Sequence, residues 1–302
     1  MSSRPSLSAA KPRSSALSSD PLLAQLAGKE PAGAARYRGR AVVVTGGAAG
    51  IGRAIALGFA LAGARVTILD RDRKAGAHTL KLLRKFSPQS RFLATDLCEP
   101  ADVERAAKVF QGPAGADILV NNAAMLGRLA PMHETDPAAW GRVTQANLLA
   151  PARLSQLLAR SLIARRRKGT IINVLTIQTV LPVPNYSPYI ASKGGLDALT
   201  LSMAVDLAPF GIRVNGIRVG CVLTETFLDV LPAALQRQVA AGADATNLLD
   251  ARAATLLNRM GRPAEIAKVA LFLASDSADF LTGSIIRADG GRAISRKVEP
   301  LL

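Results

Sequence analysis

The stretch "VVVTGGAAGIGRAIA", residues 42–56, joins a β-branched run to a helix-forming segment through a turn rich in glycine. β-Branched residues favour strands, and the Ala-rich segment after the turn favours a helix. We expect Gly46 to allow the sharp turn, Gly50 to let a pyrophosphate approach the backbone, and Gly52 to let the helix pack closely. The stretch therefore predicts a dinucleotide-binding strand–turn–helix unit whose helix N-terminus faces the phosphates.

Short apolar runs of strand length alternate with helix-length segments through the rest of the chain. After the first strand they are "RVTILD", "RFLATDL", "DILVNNAA", "GTIINVLT", "IRVNGIRVG" and "GSIIRADGG". Strands that alternate with helices are typical of a parallel sheet covered on both faces. The pattern predicts an α/β fold: a single-domain, Rossmann-like, doubly wound sheet of about seven parallel strands with helices on both faces.

Two segments of the 302 residues depart from this alternation. Residues 1–38 are basic and rich in Ser and Ala, with little apolar periodicity, which predicts a disordered tail before a catalytic domain at 39–302. Residues 221–258 are rich in Ala and Leu and have no strand pattern. A connection this long within a compact domain indicates a lid over the substrate site.

Composition narrows the classes of function. The net charge of +16 keeps nucleic-acid binding as an alternative, but aromatic residues are only 4% and none is interleaved with a basic run, so we expect no specific nucleic-acid partner. The two cysteines, Cys98 and Cys221, and the two histidines lack metal-ligand spacing, so we expect no metal. The absence of an 18-residue apolar run predicts no membrane span. We expect a cytoplasmic protein, with organelle targeting by the tail as an alternative.

Asp70 ends the second predicted strand and bears on the choice of cofactor. A carboxylate there can accept hydrogen bonds from ribose hydroxyls and would repel a 2′-phosphate, which favours NAD. Arg71 and Arg73 stand beside it and leave NADP open. Asp96, after the third strand, is either a contact to the adenine edge or an ordinary turn-forming residue.

The segment "YSPYIASKGG", residues 186–195, places Tyr189 and Lys193 four positions apart. On a helix this spacing puts both side chains on one face. A free tyrosine has a pKa of about 10, too high for an efficient base at neutral pH. A nearby ammonium favours the phenolate and would lower that pKa, so the pair is a candidate for proton transfer.

Four motifs in order resemble those of the short-chain dehydrogenase/reductase family. They are "TGGAAGIG" (45–52), "NNAA" (121–124), "YIASK" (189–193) and the segment from Arg259 to Gly291, and the resemblance covers about residues 39–293. It implies an NAD(P)-dependent oxidoreductase that interconverts a secondary alcohol and a ketone. Family members are commonly dimers or tetramers, so a homo-oligomer, most simply a homotetramer, is expected through residues 145–164 and 191–209.

The resemblance also assigns roles to residues. Tyr189 is implied as the general acid/base and Lys193 as its cationic partner, which also binds the nicotinamide ribose. Asn147 is implied as the residue that holds a relay water, although a helix-interior amide bonded to backbone is its alternative. Thr176 stands where the family has a catalytic serine. The implied cofactor contacts are Thr45, Gly46, Gly50, Ile51, Gly52, Asp70, Asp96, Leu97, Asn122, Lys193, Val222 and Thr224.

The sequence departs from the family pattern at three positions. Thr176 replaces serine, Val219 replaces the proline after the sixth strand, and Ala124 replaces a glycine, a change that we expect to be tolerated. Thr176 and Val219 suggest a cofactor-binding protein whose catalytic site has drifted, although the Tyr189–Lys193–Asn147 set argues against it. The loop at 178–188 is mostly apolar, as is the predicted lid, so we expect a medium-sized, largely apolar carbonyl substrate.

Overall fold

A computed structural model describes residues 36–112, 115–225 and 255–295, together with residues 22, 25, 26, 227 and 237. Seven strands of this part form one sheet in the order β3-β2-β1-β4-β5-β6-β7, and every neighbouring pair is parallel. The predicted fold class is confirmed. The strands are β1 (Ala41–Thr45), β2 (Arg65–Asp70), β3 (Arg91–Ala94), β4 (Ile118–Asn121), β5 (Gly169–Thr176), β6 (Ile212–Val219) and β7 (Ile285–Ala288).

Helices cover both faces of the sheet because each strand directs alternate apolar side chains to opposite sides. In β1, Val42 and Val44 join one core and Val43 joins the other. Helices α1, α2 and α7 contribute to the first core, and α3, α5 and α6 to the second. The α-helices whose full bounds fall within the described residues are α1 (Gly50–Leu61), α2 (Arg73–Arg84), α3 (Pro100–Ala107), α4 (Pro137–Thr144), α5 (Ala150–Ala164), α6 (Ser187–Leu207) and α7 (Pro263–Ala274).

The strand order reverses between β1 and β4, since the chain runs outward from β1 to β3 and then crosses back. In open α/β sheets this switch point leaves a crevice at the carboxyl ends of the strands, where ligands bind. The glycine-rich turn follows β1 at this edge, and the "NNAA" motif begins at the end of β4. The topology therefore brings two of the four family motifs together.

The packed domain includes residues just before β1. Tyr37 is only 2% exposed, its ring meets Phe59 edge-on with centroids 5.0 Å apart, and its hydroxyl donates to the Leu271 carbonyl. Leu22 and Leu26 pack against the same core. Most of the predicted tail lies outside the described residues, so its disorder stays a prediction. Residues 226, 228–236 and 238–254, the bulk of the predicted lid, also lie outside them.

The described residues contain no helix long and apolar enough to span a membrane. Among the same residues, no three His, Cys, Asp or Glu side chains lie close enough together to hold a metal ion.

Candidate active site

The glycine-rich turn has the geometry that its glycines predict. Gly46 has φ +62° and Gly50 has φ +53°, a region that side chains with a Cβ rarely adopt. A Cβ on Gly52 would lie 2.0 Å from the Gly46 carbonyl oxygen, so the close packing of helix and turn requires glycine there. The turn leads directly into the N-terminus of α1, a position whose N–H groups and dipole attract an anion. Gly47, which the sequence does not single out, is also crowded, because a Cβ there would lie 2.6 Å from the Ile68 side chain.

Thr45 and Asn122 shape the turn with their side chains. The Thr45 hydroxyl accepts from the backbone N–H groups of Asn122 and Ala123, each at 3.0 Å. The Asn122 amide donates to the carbonyl oxygens of Thr45 and Gly46 at 3.0 and 3.1 Å. These bonds join the ends of β1 and β4. The side chains of Thr45 and Asn122, which are themselves predicted cofactor contacts, therefore stabilise the turn.

Asp70 lies beside the same turn. One carboxylate oxygen accepts from the Ala48 N–H at 3.0 Å, and the other from the Asp72 N–H at 3.0 Å. Asp96 follows β3 and accepts from the Cys98 N–H at 2.9 Å, which is the turn-forming geometry that the sequence leaves as an alternative. Leu97 is buried next to it.

Lys193 lies one turn after Tyr189 on α6. Its side chain is 1% exposed, and its Nζ donates to the Val174 carbonyl oxygen of β5 at 2.8 Å. Burial lowers the pKa of Lys193 to about 8, while the negative charge of Asp197, another turn along, opposes that shift. Asp197 is paired with Arg218 of β6 at 2.8 Å. The sequence alone gives no sign of this ion pair, whose two members lie 21 residues apart on different elements.

Tyr189 is partly exposed at the start of α6. Burial raises the pKa of the Tyr189 hydroxyl above its usual value, and a hydrogen bond with the Thr176 side chain acts in the opposite direction. The shift is upward, opposite to the lowering expected from Lys193. The physical reason is that the phenol loses water contact while the Lys193 ammonium is directed to the Val174 carbonyl.

Thr176 is the last residue of β5 and is 8% exposed. Its hydroxyl accepts from the Gln178 N–H at 3.2 Å, and it lies close enough to Tyr189 to lower the pKa of that phenol. Its neighbour on β6 is Val219, which in turn pairs with Ala288 of β7. The valine that replaces the family's proline therefore continues the strand beside Thr176. These contacts place the two hydroxyl groups together at the carboxyl edge of the sheet.

Asn147 lies in a π-helical turn, Gln145–Leu149, between α4 and α5. Its side chain accepts from the Met125 N–H at 2.7 Å and donates to the Met125 carbonyl and to Ser192 at 2.8 and 3.0 Å. Both amide hydrogens are thus used within the protein, which is the alternative role that the sequence leaves open. Ser192, which the sequence does not single out, then donates to the Tyr189 carbonyl at 2.7 Å.

The chain that follows β6 passes close to the glycine-rich turn. Val222 forms a parallel bridge with Gly261, and Thr224 accepts from the Phe227 N–H at 3.3 Å. A Cβ on Gly50 would lie 3.4 Å from the Thr224 methyl group, so Thr224 faces the glycine-rich turn.

Comparison with known proteins agrees with this architecture. The family model described as enoyl-(acyl carrier protein) reductase matches residues 46–293. L-xylulose reductase of Bos taurus is 36% identical over 85% of this chain and 97% of its own, and L-fucose dehydrogenase of Oryctolagus cuniculus is 35% identical over 86% and 87%. L-sorbose reductase from Gluconobacter frateurii, complexed with NADPH and L-sorbose, superposes with a TM-score of 0.77 at 28% identity, covering 87% of this chain and 99% of that one.

The chain belongs to the short-chain dehydrogenase/reductase family. It is an oxidoreductase of this family, whose members use nicotinamide cofactors.

Proposed function

We propose that this protein interconverts a secondary alcohol and a ketone, with Tyr189 as the general acid/base. The observation that carries the proposal is the placement of Tyr189 beside Thr176, whose hydroxyl lies close enough to the phenol to lower its pKa, at the carboxyl edge of the sheet. The glycine-rich turn opens at the same edge, and Lys193 follows Tyr189 by one helical turn. A carbonyl oxygen near these two hydroxyls would meet two hydrogen-bond donors.

The bound nicotinamide would supply or accept the hydride. In the reductive direction, the Tyr189 phenol gives its proton to the carbonyl oxygen, and burial favours this protonated form. Thr176 donates a hydrogen bond to the oxygen as negative charge develops there. In the oxidative direction Tyr189 accepts the alcohol proton. The positive charge that an oxidised nicotinamide ring would bring favours the phenolate that this step needs.

The cofactor would lie across the switch point. The N-terminus of α1 would hold the pyrophosphate, Asp70 the adenosine ribose, and Asp96 with Leu97 would border the adenine. Lys193 would bind the nicotinamide ribose, and Val222 with Thr224 would contact its carboxamide. We propose NAD as the preferred cofactor because of the Asp70 charge. The NADPH complex of the sorbose reductase and the neighbouring Arg71 and Arg73 make NADP the competing choice.

The substrate and the assembly are further parts of the proposal. Relatives named for L-xylulose, L-fucose and cyclopentanol suggest a small alcohol or carbonyl compound as substrate. Apolar side chains exposed on the two predicted interface segments support a homo-oligomer: Leu149, Leu201 and Val205 are 51%, 48% and 76% exposed. We place the catalytic domain at 37–302 rather than 39–302, because Tyr37 packs in its core, with the preceding residues as the tail, and the protein in the cytoplasm.

The experiment is a spectrophotometric screen of NAD and NADP reduction with a panel of sugar and cyclic alcohols, for wild type and Tyr189→Phe. Phenylalanine keeps the ring but has no proton to transfer, so the rate should fall by ~10²–10⁴ while NADH binding changes little. Tyr186→Phe is the matched control, because its ring lies 6.3 Å from that of Tyr189, and it should lose less than about tenfold. NADH binding without turnover on any panel member would instead favour the drifted, non-catalytic alternative.

A further inference from the structure

A carboxylate of this chain lies at the N-terminus of α1. The Oε2 of Glu225 accepts a hydrogen bond from the Gly50 N–H at 3.0 Å, and its Oε1 forms an ion pair with the Arg53 guanidinium. Gly50 begins α1, and the sequence has no acidic residue in the first turn of this helix. The helix dipole and the unpaired N–H groups attract an anion to such a position. Glu225 supplies that anion from a point 175 residues further along the chain.

Glu225 is held near the turn by the backbone that precedes it. The N–H of Leu223 donates to the Gly261 carbonyl, and the N–H of Gly261 donates to the Cys221 carbonyl, each at 2.9 Å. The Glu225 side chain itself is 46% exposed and that of Arg53 is 23% exposed. The backbone anchor keeps the carboxylate within reach of α1, while its exposure lets the side chain turn away.

Arg53 has an unused donor. Its Nε is buried and makes no hydrogen bond within the described part of the chain. A guanidinium can bind a carboxylate or a phosphate through two parallel N–H groups, so the Arg53 group that now holds Glu225 suits a phosphate equally well. The Glu225 carboxylate and a phosphate would therefore compete for the same two partners, the Gly50 N–H and the Arg53 guanidinium.

We propose that Glu225 is an internal competitor of the cofactor pyrophosphate and sets the affinity of the protein for its dinucleotide. This inference rests on the proposed function, since it needs a dinucleotide in the crevice. When the diphosphate binds, the Glu225 carboxylate leaves the Gly50 N–H, and Arg53 is released to face the phosphate. The free energy of breaking these contacts is subtracted from that of binding, so the native affinity is weaker than the turn alone would give.

The test compares wild type with Glu225→Gln, which keeps the side-chain shape and removes the charge. NADH and ADP-ribose, both of which contain the pyrophosphate, are titrated by nicotinamide fluorescence and calorimetry, and adenosine serves as the probe without phosphate. Glu225→Gln should bind NADH and ADP-ribose roughly three- to thirtyfold more tightly, as expected for loss of one exposed ion pair and one charged hydrogen bond. Its affinity for adenosine should be unchanged.

Glu104→Gln is the matched control, because Glu104 is also paired with an arginine, Arg153, but on α3 and away from the turn. It should leave all three affinities unchanged, and the melting temperatures of both variants report on folding. The gain in Glu225→Gln should shrink as salt is raised, because salt screens exposed charges. Equal or weaker NADH binding by Glu225→Gln overturns the inference and leaves the proposed function intact. Failure of both proteins to bind NADH or NADPH overturns the proposed function, and the inference with it.

Discussion

The Lys193 Nζ donates a hydrogen bond to the Val174 carbonyl oxygen at 2.8 Å, which joins helix α6 to the end of strand β5. The ammonium is almost completely enclosed, and burial lowers its pKa to about 8. A charge in this position costs folding free energy, because desolvation disfavours the charged form. A buried ammonium thus lowers the stability of the fold, and its presence in the core is consistent with the role in binding or catalysis that we propose for Lys193.

Replacing Lys193 with methionine should stabilise the protein at neutral pH. The lysine pKa falls from 10.5 to about 8 on folding, a difference that corresponds to about 3 kcal/mol at pH 7. The folded pKa lies below the unfolded one, so the unfolded chain binds more protons between these values and wild-type stability rises with pH across that interval. The advantage of Lys193→Met should therefore be largest at pH 7 and shrink towards pH 10.

The measurement is urea unfolding of both proteins at pH 7 and pH 9.5, with Lys193→Leu as a second apolar variant. The same stability difference at both pH values would contradict this account of the buried ammonium.

Thr176 tests whether the hydroxyl beside Tyr189 takes part in the reaction. Thr176→Val keeps the shape but has no donor, and removing one donor to a developing oxyanion costs ~10²–10³ in rate. Since the Thr176 hydrogen bond lowers the pKa of Tyr189, the same variant should also shift the pH profile of oxidation to higher pH. Thr176→Ser keeps the hydroxyl and should retain activity. Steady-state kinetics that give equal rates for the two variants would remove Thr176 from the catalytic set.

Asp70 tests the choice of cofactor. Asp70→Asn keeps an oxygen acceptor for the Ala48 N–H but removes the charge that repels a 2′-phosphate. The ratio of NADP to NAD affinity should rise by about tenfold, which corresponds to ~1.4 kcal/mol. Asp72→Asn is the control, because Asp72 caps α2 through the Ala75 N–H and should leave the ratio unchanged. Tighter binding of NADP than NAD by the wild-type protein would refute the proposed preference.

Tyr37 tests where the folded domain begins. Tyr37→Ala removes a buried ring from the core against Phe59 and should destabilise the protein by ~3–5 kcal/mol. Tyr37→Phe removes only the hydroxyl that bonds the Leu271 carbonyl and should cost ~0.5–1.5 kcal/mol. Chemical denaturation measures both. A small effect of Tyr37→Ala would mean that the domain starts after this residue.

Several features of the site follow directly from local sequence. The φ angles of Gly46 and Gly50 and the crowding at Gly52 agree with the roles that their positions in the turn predict. The spacing of Tyr189 and Lys193 likewise fixes them on one face of α6. These features depend on a few neighbouring residues and on the geometry of one turn or helix, which is why the sequence is enough to predict them.

Other features depend on partners far apart in the chain. Asn147 could hold a water or bond to backbone on sequence grounds, and its bonds to Met125 and Ser192 form only because the fold places these residues around its amide. The Asp197–Arg218 ion pair has the same origin, because α6 must pack on β6 before the two charges meet.

The sequence by itself determined the alternation of strands and helices, the glycine-rich turn and which side chains are candidates for proton transfer. Only the tertiary structure decided which way the Lys193 ammonium points, how burial shifts the pKa of Tyr189, and that Glu225 meets the N-terminus of α1. The physical reason is that torsional preferences and periodic burial act over a few residues. Desolvation and hydrogen bonding depend on every group that packing brings within a few ångströms.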